Sequence, residues 1–328
     1  MRPVRRQRGA VIIIVLWTSV LLTILVTVMA AKVQLSARTA LHNQTASFDL
    51  AAIMTAMNHA EMELMLERMA IPVGFQPETD SEGQFRIPAY RFNGQPLTLA
   101  YPVDEEMVVR IYDHAGKINL NRMPREQMRL LIENRLGEGH DPDQVEQLLG
   151  AWTDWTDLND IANINGAENA YYQNLDPPYS ARNNPELETV AELRLIRGFD
   201  ELFRGVDLEA AFTVHGNGRT VNLNLATREA MQLLPGMDEE LIEQIIALRQ
   251  EKDFRNKAEV GELVPLEQMT ELSNWIGNNT SSFYSIYVYP KSAEFDTVYA
   301  YRQIIEVRSF SSRGQVYEVD PYARLPAF

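Results

Sequence analysis

The chain opens MRPVRRQRG-AVIIIVLWTSVLLTILVTVMAA-K over residues 1–32. Arg2, Arg5, Arg6 and Arg8 lead to Gly9, and the 22 residues from Ala10 to Ala31 then pass without a charge. At about 1.5 Å per residue that run makes a helix of about 33 Å, enough to cross the hydrocarbon core of a bilayer. The arginines stand only on its N-terminal side. The positive-inside bias therefore keeps that end cytoplasmic and sends everything after Lys32 to the other face.

Three readings of this start are open. A secretory signal peptide would have an apolar stretch of about 7–15 residues and a small-residue cleavage site; Val28-Met29-Ala30 offers the site, but the stretch is too long. An uncleaved signal anchor explains the helix and leaves Gly9 without a role. The third is processing at Gly9: a glycine between a basic leader and an apolar run, with no further glycine or proline until Pro72, resembles the cleavage site of type IV prepilins and pseudopilins. That resemblance implies a peptidase cut after Gly9 and a new, N-methylated terminus at Ala10. Most members carry a glutamate as fifth residue after the cut, where this chain has Ile14. An unpaired charge within a membrane is costly, so a subunit with no neighbour above it has reason to lack one.

At 328 residues with a formal net charge of −15, the chain is long enough for two cores and too acidic for a nucleic-acid or anionic-lipid surface beyond the leader. It has no cysteine, which excludes disulfides, thiolate metal sites and a cysteine nucleophile. From Lys32 to Ala70 the helix is expected to continue, with Val33, Leu41, Phe48, Ile53, Met57, Met62 and Met65 as a core-packing stripe, and to stop at Pro72 and Gly74. Strands are expected at Gln84–Phe92, Leu97–Tyr101 and Met107–Tyr112, with Asn93-Gly94 as a hairpin turn. From about His114 to Gly277 the pattern is helices and loops. Strands return at Ser282–Tyr289, Val298–Phe310 and Gln315–Val319, with Ser311–Gly314 as a turn. Strands bracketing a helical block predict a sheet discontinuous in sequence.

The helical block contains a repeat: Lys117-Ile118-Asn119-Leu120-Asn121 followed by Met128, Leu130 and Leu131 matches Thr220-Val221-Asn222-Leu223-Asn224 followed by Met231, Leu233 and Leu234. The second asparagine of each copy, Asn121 or Asn224, is expected near a helix N-cap. The second copy continues into Leu234-Pro235-Gly236 and resembles a helix-hairpin-helix unit, which in DNA-binding proteins presents backbone N–H groups to phosphate. Here Asp238, Glu239, Glu240 and Glu243 follow the hairpin and would repel phosphate. The unit reads as a packing or docking module, and no nucleic-acid partner is expected.

The most specific stretch is Asp154-Trp155-Thr156-Asp157-Leu158-Asn159-Asp160, then Gly166-Ala167-Glu168-Asn169-Ala170-Tyr171-Tyr172, Pro177-Pro178-Tyr179 and Glu192-Leu193-Arg194-Leu195-Ile196-Arg197-Gly198. Together with the leader and Ile14 it resembles the K subunit family of type II secretion systems, the largest minor pseudopilins. Short carboxylates on an irregular loop suit calcium, which takes 6–8 oxygen ligands, and Asp154, Asp157, Asp160 and Glu168 are the first candidates. The family binds calcium in its helical domain, so the resemblance implies the same ion here; Asn159 stands where the family usually has another aspartate, keeping an oxygen ligand and losing a charge. The alternative reading is a solvated acidic loop with Asp and Asn as turn residues.

The resemblance further implies an α+β fold: a pilin-like long N-terminal helix packed on an antiparallel sheet, with a large inserted all-α domain of helix-hairpin-helix or SAM-like repeats. The expected parts are a leader 1–9, a transmembrane helix 10–31, a pilin-like domain 32–113 and 278–328, and the inserted domain 114–277. It implies the I, J and H minor pseudopilins and the prepilin peptidase as partners, and a single-pass inner-membrane protein with a periplasmic globular part. Enzyme chemistry is not expected: His42, His59, His114, His140 and His215 have no zinc-type spacing, and neither a nucleophile-elbow nor a phosphate-loop motif occurs. A membrane-anchored DNA receptor, another type IV pilus minor pilin and a metal-dependent hydrolase are the alternatives.

Overall fold

The computed structural model describes residues 9–67, 78–79, 85–86, 90–291, 299–308 and 313–326. The first helix, α1, runs Gly9–Leu66 without a break, as a stretch free of proline and internal glycine permits. Within the first of two units, Met1–Met54, its apolar side chains from Ile12 to Leu35 are exposed. Residues Ile12–Ala40 are long and apolar enough to cross a membrane. The few hydroxyls there turn inward: Thr18 and Ser19 donate to the carbonyls of Val15 and Leu16 at 2.9 Å, and Thr23 and Thr27 to those of Ser19 and Thr23 at 2.8 Å. Such bonds leave a lipid-facing helix with few unsatisfied polar groups.

The second unit is Thr55–Phe328. It begins with the end of α1, where Ala56, Met57, Ala60, Glu63 and Leu64 are buried at helical spacing. The expected packing stripe is therefore corrected: Met57 belongs to it and Met65 is half-buried, whereas Met62 is exposed because it lies off the helix face that carries Ala56, Ala60 and Leu64; in the first unit Ile53 is half-buried and Val33 exposed. The side chains of Leu41 and Phe48, and the expected stop at Pro72 and Gly74, lie outside the described residues. The described helix ends at Leu66.

Two short strands, β1 (Glu78–Thr79) and β2 (Phe85–Arg86), pair with each other, so within the described residues the expected run Gln84–Phe92 contributes only β2. Next come β3 (Asn93–Pro96) and β4 (Met107–Asp113), which pair antiparallel with a register shift between Asn93 and Pro96. Asn93-Gly94 is thus part of a strand and not a hairpin turn. Gly94 has φ +91°, and a Cβ there would stand 2.2 Å from a carbon of the Tyr112 ring: the glycine lets the bulged strand lie against an aromatic ring. Nor is Leu97–Tyr101 a strand. After Leu97 N–H reaches the Val109 carbonyl at 3.0 Å, the chain leaves the ladder and Ala100 N–H donates to Glu63 at 2.8 Å.

The helical block follows, with β5 (Ile118–Asn119), α2 (Arg125–Leu136), α3 (Pro142–Trp155), α4 (Asn169–Tyr172), α5 (Phe199–Leu202), α6 (Leu208–Ala211), β6 (Phe212–Thr213), β7 (Val221–Asn222), α7 (Arg228–Met231), α8 (Glu239–Glu251), α9 (Lys257–Gly261), α10 (Leu266–Leu272) and β8 (Ile276–Gly277). The block is not purely helical: β5 pairs with β6 and β7 with β8, both in parallel. Each copy of the repeat thus starts with an equivalent strand. In each, the first asparagine turns the chain, Asn119 accepting from Asn121 N–H and Asn222 from Asn224 N–H, both at 3.1 Å. The second asparagine, expected at a cap, instead clamps a distant backbone. Asn121 donates to Val214 O at 2.8 Å and accepts from Leu187 N–H at 2.8 Å; Asn224 donates to Phe254 O at 3.0 Å and accepts from Phe254 N–H at 2.8 Å. An amide side chain carries both a donor and an acceptor and so substitutes for a strand neighbour, which a cap does not require. The two copies touch at Gly116, where a Cβ would stand 2.1 Å from the Leu225 carbonyl oxygen.

The chain returns in β9 (Phe283–Pro290), β10 (Tyr299–Glu306) and β11 (Gln315–Arg324), completing an antiparallel sheet of order β11-β10-β9-β4-β3. β11 outruns its expected end at Val319, passing through Pro321; an edge strand tolerates a proline because its outward N–H groups need no partner. Ser311 and Ser312 lie outside the described residues. One sheet face carries Val109, Ile111, Ile286, Val288 and Ile305, all buried. The end of α1 lies over this face: a Cβ on Gly314 would meet both Glu61 and Ile305 Cδ1, and Gly314 N–H donates to Glu61 at 2.7 Å. Arg91 reinforces the join through Glu63 at 2.7 Å and Glu67 at 2.6 Å. On the other face Val108, Tyr112, Tyr287, Tyr289, Ala300 and Ala323 form a core, and Arg302 links the sheet to the block by pairing with Glu209 at 2.7 Å and with Glu318.

Candidate metal centre

Helix α3 is built to deliver an acid. Asp141 caps it by accepting from Asp143 N–H at 3.0 Å, Pro142 occupies its first turn, and Val145, Leu148, Leu149 and Trp152 bury along one face. Its last turn carries Asp154, fully buried, and Trp155, 1% exposed. Trp155 meets Tyr172 edge to face at 5.1 Å, and Tyr172 in turn packs on Tyr179 at 5.2 Å. This aromatic wedge fixes the carboxylate at the helix end.

The loop after α3 folds back over it. Asn163 donates to Asp154 Oδ1 from its backbone at 3.2 Å and from its amide at 2.5 Å. Two glycines permit the approach: a Cβ on Gly150 would stand 3.1 Å from the Asn165 backbone, and one on Gly166 would overlap Asp154 Oδ2 at 1.9 Å. Arg197 holds the far side by donating to the Asn165 carbonyl and lying over the Tyr171 ring at 5.3 Å. Sequence reading missed Asn163 and Gly150; Gly166 and Arg197 were visible only as motif letters.

Among the expected ligands, the structure brings Asp154, Asp157 and Glu168 together, one oxygen of each within 4.8 Å of the others. Oxygens bound to a single calcium at 2.3–2.6 Å lie no farther apart than about 4.6–5.2 Å, so the spacing fits one hard cation. Asn159 is outside this trio, its side chain accepting from Ile161 N–H at 2.9 Å and its carbonyl from the Asn183 amide at 2.7 Å. Asp160 accepts from the Asn169 amide at 3.0 Å and adds its charge beside Glu168.

Glu168 is the revealing member. It begins α4 without capping it, is 4% exposed, and neither of its buried carboxylate oxygens has a hydrogen-bond donor. Burial first, then the nearby charges of Asp154, Asp157 and Asp160, push its carboxyl up to about 7. A buried acid without donors beside other acids is what a cation site requires and what a folded loop otherwise avoids.

A pH prediction follows for the metal-free protein. The folded state raises the Glu168 value above that of the unfolded chain, so the folded state binds the extra proton and stability from this group falls as pH rises from about 4.5 to about 7. Glu168→Gln is expected to flatten that part of the stability–pH curve, measured by thermal melts in chelator. An unchanged slope would show that Glu168 is not the titrating group.

Comparison with known proteins now bears on the fold and this loop. Residues 116–204 match the family described as type II secretion system (T2SS), protein K, a span that contains the whole acidic loop. A type II secretion system protein K from Pectobacterium carotovorum subsp. carotovorum is 29% identical over 188 residues, 51% of this chain and 56% of that protein. One from Klebsiella pneumoniae is 28% identical over 212 residues, 60% of this chain and 59% of that protein. The matches therefore span less than two thirds of either relative. Among solved structures, the crystal structure of the GspK-GspI-GspJ complex from the enterotoxigenic Escherichia coli type 2 secretion system contains a chain with the same fold, at TM-score 0.50 and 17% identity, covering 85% of this chain and 96% of that one. The likeness in sequence to the type II secretion system protein K family is thus carried by residues 116–204, and the likeness in fold extends over 85% of the chain.

Proposed function

We infer that the protein is a minor pseudopilin that joins the I, J and H subunits at the tip of a periplasmic pseudopilus, starts its assembly and helps drive folded proteins out through the outer membrane. The observation that carries this reading is the protein K match at residues 116–204, lying on a block inserted between sheet strands in a chain whose first helix has an anchor-like apolar span. The solved relative was crystallised as a GspK-GspI-GspJ complex, which supports the I and J partners. The role is mechanical and interfacial, with no catalytic step. The apolar helix anchors the chain in the inner membrane with its arginines cytoplasmic, and Ile14 supplies no carboxylate for a neighbour above, in keeping with an end position.

Calcium fits the acidic loop on the evidence of the unpartnered, buried Glu168 oxygens. Asp154, Asp157 and Glu168 would hold it, with Asp160 beside Glu168 and Asn159 outside the trio, and the ion would cancel the mutual repulsion of the carboxylates. The residues themselves shape the loop: Asp154 anchors Asn163, and Gly166 lets the chain close over it.

The deciding experiment is intact-mass spectrometry of the chain expressed with and without a prepilin peptidase. The expected product begins at N-methylated Ala10, after loss of residues 1–9, and then co-purifies with the I and J subunits. An uncut chain, or one cut after Ala30, would overturn the pseudopilin reading.

A further inference from the structure

The loop that folds back over Asp154 carries three large aliphatic side chains out into solvent. Leu158 is 78% exposed, Ile161 76% and Ile164 92%, all within residues 158–164. Leu266 on α10 is as exposed but stands singly, and single exposures of that kind are ordinary on a protein surface. Several together on one short loop mark a surface that something else covers.

The exposure is built into the loop. Asp157 accepts from Asn159 N–H at 3.0 Å and Asn159 from Ile161 N–H at 2.9 Å, two successive turns of the kind that Asp and Asn side chains close. Gly166 N–H donates to the Asn163 carbonyl at 2.9 Å, which closes a third turn with Ile164 at its tip. Asn165 takes the left-handed φ of 65° there, a conformation that asparagine tolerates. Both flanks of Ile164 are tied: Asn163 donates to Asp154, and Arg197 donates to the Asn165 carbonyl. Ile164 cannot turn inward without giving up these bonds. Arg197 also lies over the ring of Tyr171 at 5.3 Å, and Tyr171, 38% exposed, widens the apolar surface beside the turn.

The charge of the loop says what kind of surface fits it. Asp157 and Asp160 alternate with Leu158 and Ile161 along the chain, and together with Asp154 they crowd Glu168, so the aliphatic tip rises from a negative base. A cation held by Asp154, Asp157 and Glu168 would leave the charge of Asp160 in place. We propose that Leu158, Ile161 and Ile164 form a docking knuckle for a protein surface of the opposite pattern, an apolar patch edged by lysine and arginine. Such a partner covers the aliphatic side chains and matches the carboxylates around them, the arrangement of an apolar interface core with a polar rim. The same carboxylates repel an acidic partner and the phosphates of an anionic lipid surface. The turns already hold the knuckle in shape, so little ordering remains to be done on docking.

The test passes the full chain, held in lipid discs of phosphatidylcholine, over immobilised helical peptides of equal length, with empty discs as the reference. One peptide has a leucine face edged by lysines, the second has the same face edged by glutamates, and the third keeps the lysines with serine in place of leucine. The leucine–lysine peptide is expected to bind at least about tenfold more tightly than either of the others, and its binding to weaken as salt rises. Leu158→Ser, Ile161→Ser and Ile164→Ser combined should lower that affinity at least about tenfold; all three side chains are exposed, so the fold should persist, which circular dichroism checks. Asp160→Asn should lower it by a smaller factor and flatten the salt dependence. Equal binding of the glutamate or the serine peptide, a signal matched by empty discs, unchanged affinity in the folded triple variant, or an unaltered salt dependence in Asp160→Asn would overturn the proposal.

Discussion

Calcium added to the chelator-treated protein is expected to raise its thermal midpoint by about 5–10 °C, and Asp154→Ala to remove the rise. The arithmetic is that of linkage: an ion at about one hundred times its dissociation constant stabilises by about 2.7 kcal/mol, and each kcal/mol moves the midpoint by about 2–4 °C in a folded unit of this size. The structural reason is the cluster itself. Asp154, Asp157 and Glu168 bring an oxygen each within 4.8 Å of the others, and the Glu168 oxygens lack any donor, so the apo loop retains an uncompensated repulsion that a cation relieves. Magnesium should do less, because it demands a tight octahedral shell that three carboxylates on a loop do not supply. Glu168→Gln, which keeps the shape, separates loss of the ion from loss of the fold: it should still fold and melt independently of calcium. Identical melts of the parent protein with and without millimolar calcium would sink the calcium reading while leaving the fold untouched. The same carboxyl predicts weaker binding below about pH 7, where a proton on Glu168 competes with the ion.

Trp155→Ala is expected to cost about 3–5 kcal/mol, the range for truncating a large buried aromatic. Trp155 is 1% exposed and closes the wedge with Tyr172 and Tyr179 behind the acidic loop. Its removal opens a cavity at the helix end that carries Asp154, so the calcium response should weaken along with stability. Trp155→Phe should cost less than half as much. Most of the ring packing survives, and the indole N–H, which has no hydrogen-bond partner, is removed with its desolvation cost. Chemical denaturation of the detergent-solubilised chain, followed by circular dichroism, measures both. A loss below about 1 kcal/mol for the alanine variant would mean that the wedge does not support the loop.

Much of this was legible in the residues because it depends on neighbours in sequence. A long uncharged apolar run makes a helix wherever it sits, and α1 runs through Ala10–Ala31 as expected. β-Branched and aromatic runs near Met107–Tyr112 and Ser282–Tyr289 became adjacent strands of one sheet across the helical block. The acidic residues could be named as ligand types from their chemistry alone. Where the reading failed, the deciding partner was remote. Asn93-Gly94 has the composition of a turn, yet the Tyr112 ring across the ladder makes it a bulged strand. Asn121 and Asn224 have the composition of caps, yet Leu187, Val214 and Phe254 claim their amides.

The sequence by itself determined the apolar anchor-like helix, the bracketing of a helical block by strands, the repeat and the acidic loop, since each follows from local periodicity or side-chain chemistry. Only the tertiary structure decided that Asp154, Asp157 and Glu168 converge, that the end of α1 buries Ala56, Met57, Ala60 and Leu64, and that Asn121 and Asn224 clamp distant backbone. Those outcomes depend on which distant backbones approach one another, and glycines such as Gly116 and Gly166 permit that approach without declaring in the sequence what will fill the space.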